Sequence, residues 1–116
     1  MPNYIALIYT ADVDWTAPAF AEENAKYMEF GQESAAVIRG GAALYPTSTA
    51  TTVRVTGGKG GEVLLTDGPY AETKEALTGY YVLECENLDE ALRHAAKIPA
   101  AWNGFVEVRP TIPSLT

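Results

Sequence analysis

Moving a proton or holding a polar ligand takes a carboxylate, a cation and ring surfaces placed together. One stretch gathers candidates for all three: "TDGPYAETKE", Thr66 to Glu75. Asp67 stands before Gly68 and Pro69, a stiff pairing, because proline fixes its own φ and restricts the residue before it. A carboxylate there has two readings. It can close an Asx turn on nearby amides, the commoner use of Asp before Gly. It can instead act as a general base or orient a substrate, provided burial or a neighbour tunes it. Lys74 and Arg109 are the cations that could sit beside it and stabilise an anion. Asp67, Lys74 and Arg109 therefore form the candidate catalytic set. Tyr9, Tyr70, Glu72 and Tyr81 form the candidate substrate-binding set, since tyrosine offers an apolar ring with a polar tip.

Other chemistries find less support. The single histidine, His94, lies mid-helix in "EALRHAAK" and reads as a helix-surface residue. The single cysteine, Cys85, reads as a small buried hydrophobe and excludes an internal disulfide. One His and one Cys make a transition-metal site a poor fit. An oxygen-ligand site from Asp67, Glu72 and Glu75 lacks a recognised loop spacing. The glycine-rich "GGKGG" at 57–61 has no helix after it to supply a phosphate-binding N-terminus, so it reads as a hairpin tip. No cofactor is implied.

The elements that must position these residues follow from the pattern. In "NYIALIY", 3–9, both alternating sets are apolar or aromatic, which predicts a strand covered on both faces. Pro18 suits a first helical turn, and helical spacing runs over 18–39 through Phe20, Tyr27, Met28, Gly31, Ala35 and Ile38, with Gly40-Gly41 as the stop. "AALYP" predicts a short strand, and "TSTATTVRVTGGKGGEVLLT" a β-hairpin. "GYYVLEC" predicts another strand. "NLDEALRHAAKIP" predicts a helix capped by Asn87 with Glu90 in capping-box position and a stripe of Leu88, Ala91, Leu92 and Ala95. "FVEVRP" is the last strand, with Val106 and Val108 toward the helices and Phe105, Glu107 and Arg109 on the other side.

The order β-α-β, hairpin, β-α-β is a split βαβ plan: an α+β fold with an antiparallel sheet and two helices on one face. The first and last strands are expected at its centre. The second face of the sheet would be open in a monomer, and a second copy is the expected cover, giving a homodimer.

The chain has 116 residues and a net charge of −7. That size suits one domain over 1–116. An acidic chain with scattered Lys and Arg disfavours nucleic acid and anionic membrane as partners. The start "MPNYIALIYT" has no basic leader and too short an apolar run to span a bilayer, so a cytoplasmic location is expected.

Taken in order, "LIYTADVDW", "ALYPTSTATTVRV", "LLTDGPYAETKEALTGYYVLE", "LDEALRHAAKIP" and "VEVRP" resemble the DGPF subgroup of YCII-related proteins over essentially the full length. Tyr70 replaces the usual Phe. The resemblance implies a dimeric α+β barrel of ferredoxin-like topology, and a family mostly without assigned activity. It also implies an association with extracytoplasmic-function sigma factors. The His–Asp pair of the broader group does not carry over, because His94 lies elsewhere. Two functions follow as expectations. One is a small-molecule-binding protein acting as a cofactor-independent acid/base enzyme, for isomerisation or elimination on a small cyclic compound. The other is a non-catalytic accessory or sensor that works with a sigma factor.

Overall fold

The computed structural model describes residues 1–115. The first strand, β1 (Asn3–Thr10), buries Tyr4, Ala6, Ile8 and Thr10 and leaves Ile5, Leu7 and Tyr9 part-exposed. A single 3-10 turn at Pro18–Phe20 leads into α1 (Ala21–Glu33). Then come β2 (Ile38–Ala43), β3 (Thr51–Val55), β4 (Val63–Asp67) and β5 (Ala76–Glu84). The chain continues through α2 (Leu88–Ala95) and α3 (Ala100–Asn103) to β6 (Phe105–Pro110).

Four strands form one antiparallel sheet in the order β2-β5-β1-β6, consistent with the ferredoxin-like plan. β3 and β4 pair only with each other, as a separate two-stranded ribbon. One expectation about the sheet fails. β6 lies at an edge, and the centre is held by β1 and β5, because β5 pairs with β2 on its other side.

The helices cover one face, with Phe30, Leu83 and Ile98 as the largest apolar side chains fully buried beneath them. α1 is shorter than its spacing predicts. It stops at Glu33, and the amides of Val37 and Ile38 both donate to the Ser34 carbonyl. Ile38 to Gly41 then belong to β2. Gly41 is there for close approach, not as a helix stop: a Cβ would lie 2.6 Å from the Tyr80 carbonyl oxygen. The inward face also differs. Met28 is 69% exposed, while Phe30, 1% exposed, packs edge-on against Tyr81 with ring centroids 4.9 Å apart.

The second helical segment begins as its caps predict. The Asn87 side chain accepts from the Glu90 amide at 2.9 Å, and the Glu90 carboxylate accepts from the Glu86 amide at 3.2 Å. Its buried face, however, is Ala91 and Ala95, with Leu88 and Leu92 about half exposed. Small residues let the helix backbone approach the sheet. Pro99 ends this segment but also starts α3, which the sequence pattern does not reveal.

His94 is half-buried, not a freely solvated helix-surface residue. Its Nδ1 lies 2.7 Å from the hydroxyl of Ser34, which is fully buried, so the pair ties α2 to the end of α1. Burial holds the imidazole below its usual pKa, with Lys97 and Arg93 adding to that and Glu90 opposing it. The folded state thus prefers neutral imidazole. Stability is fully present above the unfolded value of about 6.5 and declines as pH falls below it. Asp12 and Asp14, whose pKa values are lowered from 3.8, titrate in a more acidic window. His94→Gln is expected to flatten thermal stability between pH 7 and 5; a wild-type slope surviving in the variant would refute this. Phe30→Ala should cost about 3–5 kcal/mol in urea unfolding, as deletion of a buried aromatic ring does.

Candidate functional site

One residue out of register shapes the end of the sheet. Opposite β1, Ile8 pairs with Gly79 but Tyr9 pairs with Leu77, so Thr78 is a bulge in β5. A bulge reverses the alternation of the strand that carries it. Beyond it, Gly79, Tyr81 and Leu83 face the helices; before it, Ala76 and Thr78 do, and Leu77 turns to the open face beside Tyr9. Thr78 is held from several sides. Its carbonyl accepts from the Trp15 indole at 3.1 Å and the Leu44 amide at 3.0 Å. Its hydroxyl lies 3.0 Å from that of Thr10, which itself donates to the Ala11 carbonyl.

Tyr9 and Leu77 open onto a cleft of about 1000 Å³. Its walls are the chain entering the ribbon, Leu44 to Ala50, and the chain leaving it, Pro69 to Thr73. The two walls are joined at the ribbon root. The Gly68 amide donates to the Ala50 carbonyl at 2.7 Å, and the Thr52 hydroxyl to the Gly68 carbonyl at 2.9 Å. Gly68 has φ of 103°, which L side chains rarely adopt, so glycine is required in this turn. Across the cleft Asp12 pins the first wall. Its carboxylate accepts from the Thr47 amide at 3.0 Å and from the Thr47 hydroxyl. These bonds hold the Asp12 carboxyl below the usual carboxylate range.

The cleft brings together Tyr9, Tyr70 and Glu72 from the expected substrate-binding set, and adds Asp12, Tyr45 and Thr47. Among the described residues that line it, none is basic. Asp12 was the missed residue; the only signal was an acid just past a strand, in "YTADVD". Its partner lies 35 residues away, a separation no local pattern spans.

The expected catalytic set is not assembled within one protomer. Asp67 is exposed at the end of β4, Lys74 is exposed in the loop before β5, and Arg109 sits on β6 opposite Ile5. Among the described residues no hydrogen bond or ion pair joins them, and none lines the cleft. Among the described residues the Asp67 side chain caps no nearby amide, so the Asx turn is absent too; the Gly68 amide donates to the Ala50 carbonyl instead. Tyr81 points to the helix face, beside Phe30, and lines a smaller cavity of about 240 Å³ with Trp15 and Tyr27. Burial raises the pKa of both Tyr27 and Tyr81. Among the described residues no cluster of three His, Cys, Asp or Glu could hold a metal, and no helix is long and apolar enough to cross a membrane.

Glu75 behaves unlike its neighbours in the motif. Its Oε2 is buried and meets no hydrogen-bond donor among the described residues. It lies against Gly104, where a Cβ would come 3.4 Å from that oxygen and 2.3 Å from the Tyr9 carbonyl oxygen. An unsatisfied buried acceptor costs on the order of 1–3 kcal/mol. Glu75→Gln is therefore expected to raise stability by about 1 kcal/mol, since the amide supplies donors toward these carbonyls. A urea midpoint unchanged or lowered would show that the carboxylate is already satisfied.

The family model of the YCII-related domain matches residues 4–114. A curated relative, an uncharacterised protein of Rhizobium meliloti, is 42% identical over 87 residues, covering 73% of this chain. The match takes in 64% of that relative's length. With the family model covering nearly the whole chain, the protein belongs to the YCII-related domain family.

Proposed function

We propose that the protein binds a small, ring-bearing cation in the cleft between the ribbon root and the end of the sheet. The lining carries the reading: two carboxylates, Asp12 and Glu72, three tyrosines, Tyr9, Tyr45 and Tyr70, and no basic group. Carboxylates and aromatic faces both favour a cation, and rings give a cyclic ligand flat surfaces to pack on. Asp12 acts as an ionised anchor. Thr47 takes one site on each carboxylate oxygen, which leaves others free to accept from an ammonium. A lowered pKa makes Asp12 a weak base. Any proton transfer in the cleft then falls to Glu72, in a cofactor-independent reaction. The "DGPY" stretch, Asp67 to Tyr70, supports placing the chain in the DGPF subgroup, with Gly68 needed for its φ.

A second copy completes this reading. Ile5, Leu7, Tyr80 and Val82 share the face that no helix covers, with Glu107 and Arg109 at its edge. Packing two such faces gives the dimeric barrel.

Phenethylamine tests the site, with phenylethanol and phenylacetate as neutral and anionic counterparts. The amine should bind tightest and the acid weakest by calorimetry. Asp12→Asn should weaken the amine about tenfold. Glu72→Gln, which leaves Thr47 undisturbed, should weaken it separately. If the acid binds as well as the amine, or neither variant matters, the reading fails and the accessory role replaces it.

A further inference from the structure

The β3–β4 ribbon is an unusual element for a chain of this size. Its register places Val53 opposite Leu65 and Val55 opposite Val63, so these four share one face, with Thr51 and Asp67 at its root. All four are exposed, at 59%, 67%, 43% and 60%. The other face carries Thr52, Thr66, Arg54 and Leu64. An isolated two-stranded hairpin is marginal in water, and an aliphatic face open to solvent makes it more so. The ribbon also stretches the molecule. Its radius of gyration is 16.2 Å, against about 13 Å for a compact chain of this length.

We infer that the ribbon is an arm whose aliphatic face seats on a second copy of this chain, and that this seating sets the width of the cleft. The inference rests on the twofold pairing of open sheet faces proposed above. Two observations select a second copy as the occupant. The first is area. Four strands at about 4.8 Å spacing and about 3.4 Å per residue give a sheet face of roughly 400 Å² in projection. A stable interface takes about 800 Å² of accessible surface from each partner. The ribbon extends the apolar surface by roughly 160 Å² more in projection, in two symmetric places. The second is charge. Two chains of −7 repel unless they meet through surfaces with little net charge. Residues 51–67 hold Arg54, Lys59, Glu62 and Asp67, two of each sign, so the ribbon is neutral within an acidic chain.

The consequence for the cleft follows from connectivity. Both chains that leave the ribbon root, 44–50 and 69–73, are its walls. An arm free to swing carries those walls with it. An arm fixed on the partner holds them at one separation. The binding site of one protomer is therefore incomplete without the other.

Hydrogen exchange and sedimentation test this without any ligand. Amides of 51–67 and of the wall 70–73 should be protected at high protein concentration and exchange at least tenfold faster on dilution below the dimer dissociation constant. The double variant Val53→Asp, Leu65→Asp should raise that constant at least a hundredfold and release the same amides. Protection in β1 and β5 should persist, which shows that the body remains folded. Leu64→Asp, on the opposite ribbon face, should change the constant less than threefold. A wild-type chain that stays monomeric at every concentration overturns both this inference and the twofold pairing. A dimer that the double variant leaves intact, or that Leu64→Asp weakens equally, overturns the arm alone.

Discussion

The bulge at Thr78 is the constraint on which the rest of the structure depends. It lets a single strand serve two incompatible jobs. From Gly79 onward β5 must send odd-numbered residues toward the helices, where Tyr81 meets Phe30 and Leu83 closes the core. Before Thr78 the same strand must send Leu77 to the open side, beside Tyr9, at the mouth of the cleft. An unbroken strand would put Leu77 inward. The extra residue leaves its main-chain carbonyl to satisfy, and the Trp15 indole and the Leu44 amide both donate to it, while its hydroxyl meets that of Thr10. The two donors each stand in the wall of a cavity. Trp15 stands over the smaller one, and Leu44 starts the chain that runs past Asp12 into the ribbon.

Polar and apolar forces divide the molecule between them. The body is held by burial of Phe30 from α1 together with Leu83 and Ile98, and by the small inward face of α2. The cleft is held by hydrogen bonds across long loops, of which Asp12 to Thr47 is the chief. That bond is exposed and contributes modestly to stability. Its value is positional, since it pins one wall while Gly68 and Ala50 join it to the other. The ribbon belongs to neither system. It has backbone pairing, but Val53, Val55, Val63 and Leu65 on one of its faces stay exposed.

What could be read beforehand was what neighbouring residues decide. Asn87 with Glu90 marked a helix start, and glycines at 57–61 between β-branched runs marked a hairpin. The misreadings share another cause. Helical spacing continued from Pro18 to Ile38, but β5 offered Ile38 to Ala43 a ladder, and strand pairing ended the helix early. Leu88, Ala91, Leu92 and Ala95 fitted one apolar stripe, yet close helix–sheet packing buried only the alanines. His94 read as exposed because its partner, Ser34, lies 60 residues away.

By itself the sequence determined the class of the fold and the broad succession of its strands and main helices, together with the motif "TDGPYAETKE" that borders the cleft. These rest on caps, turns and alternation, all properties of a few adjacent residues. Only the tertiary structure decided which residues meet. It placed Tyr70 and Glu72 in the cleft, turned Glu75 inward against Gly104, left Asp67 and Lys74 exposed, and supplied Asp12 from the far side. The reason is the bulge and the paths of the loops around it: one residue out of register reverses which side chains face the cleft, and nothing local announces it.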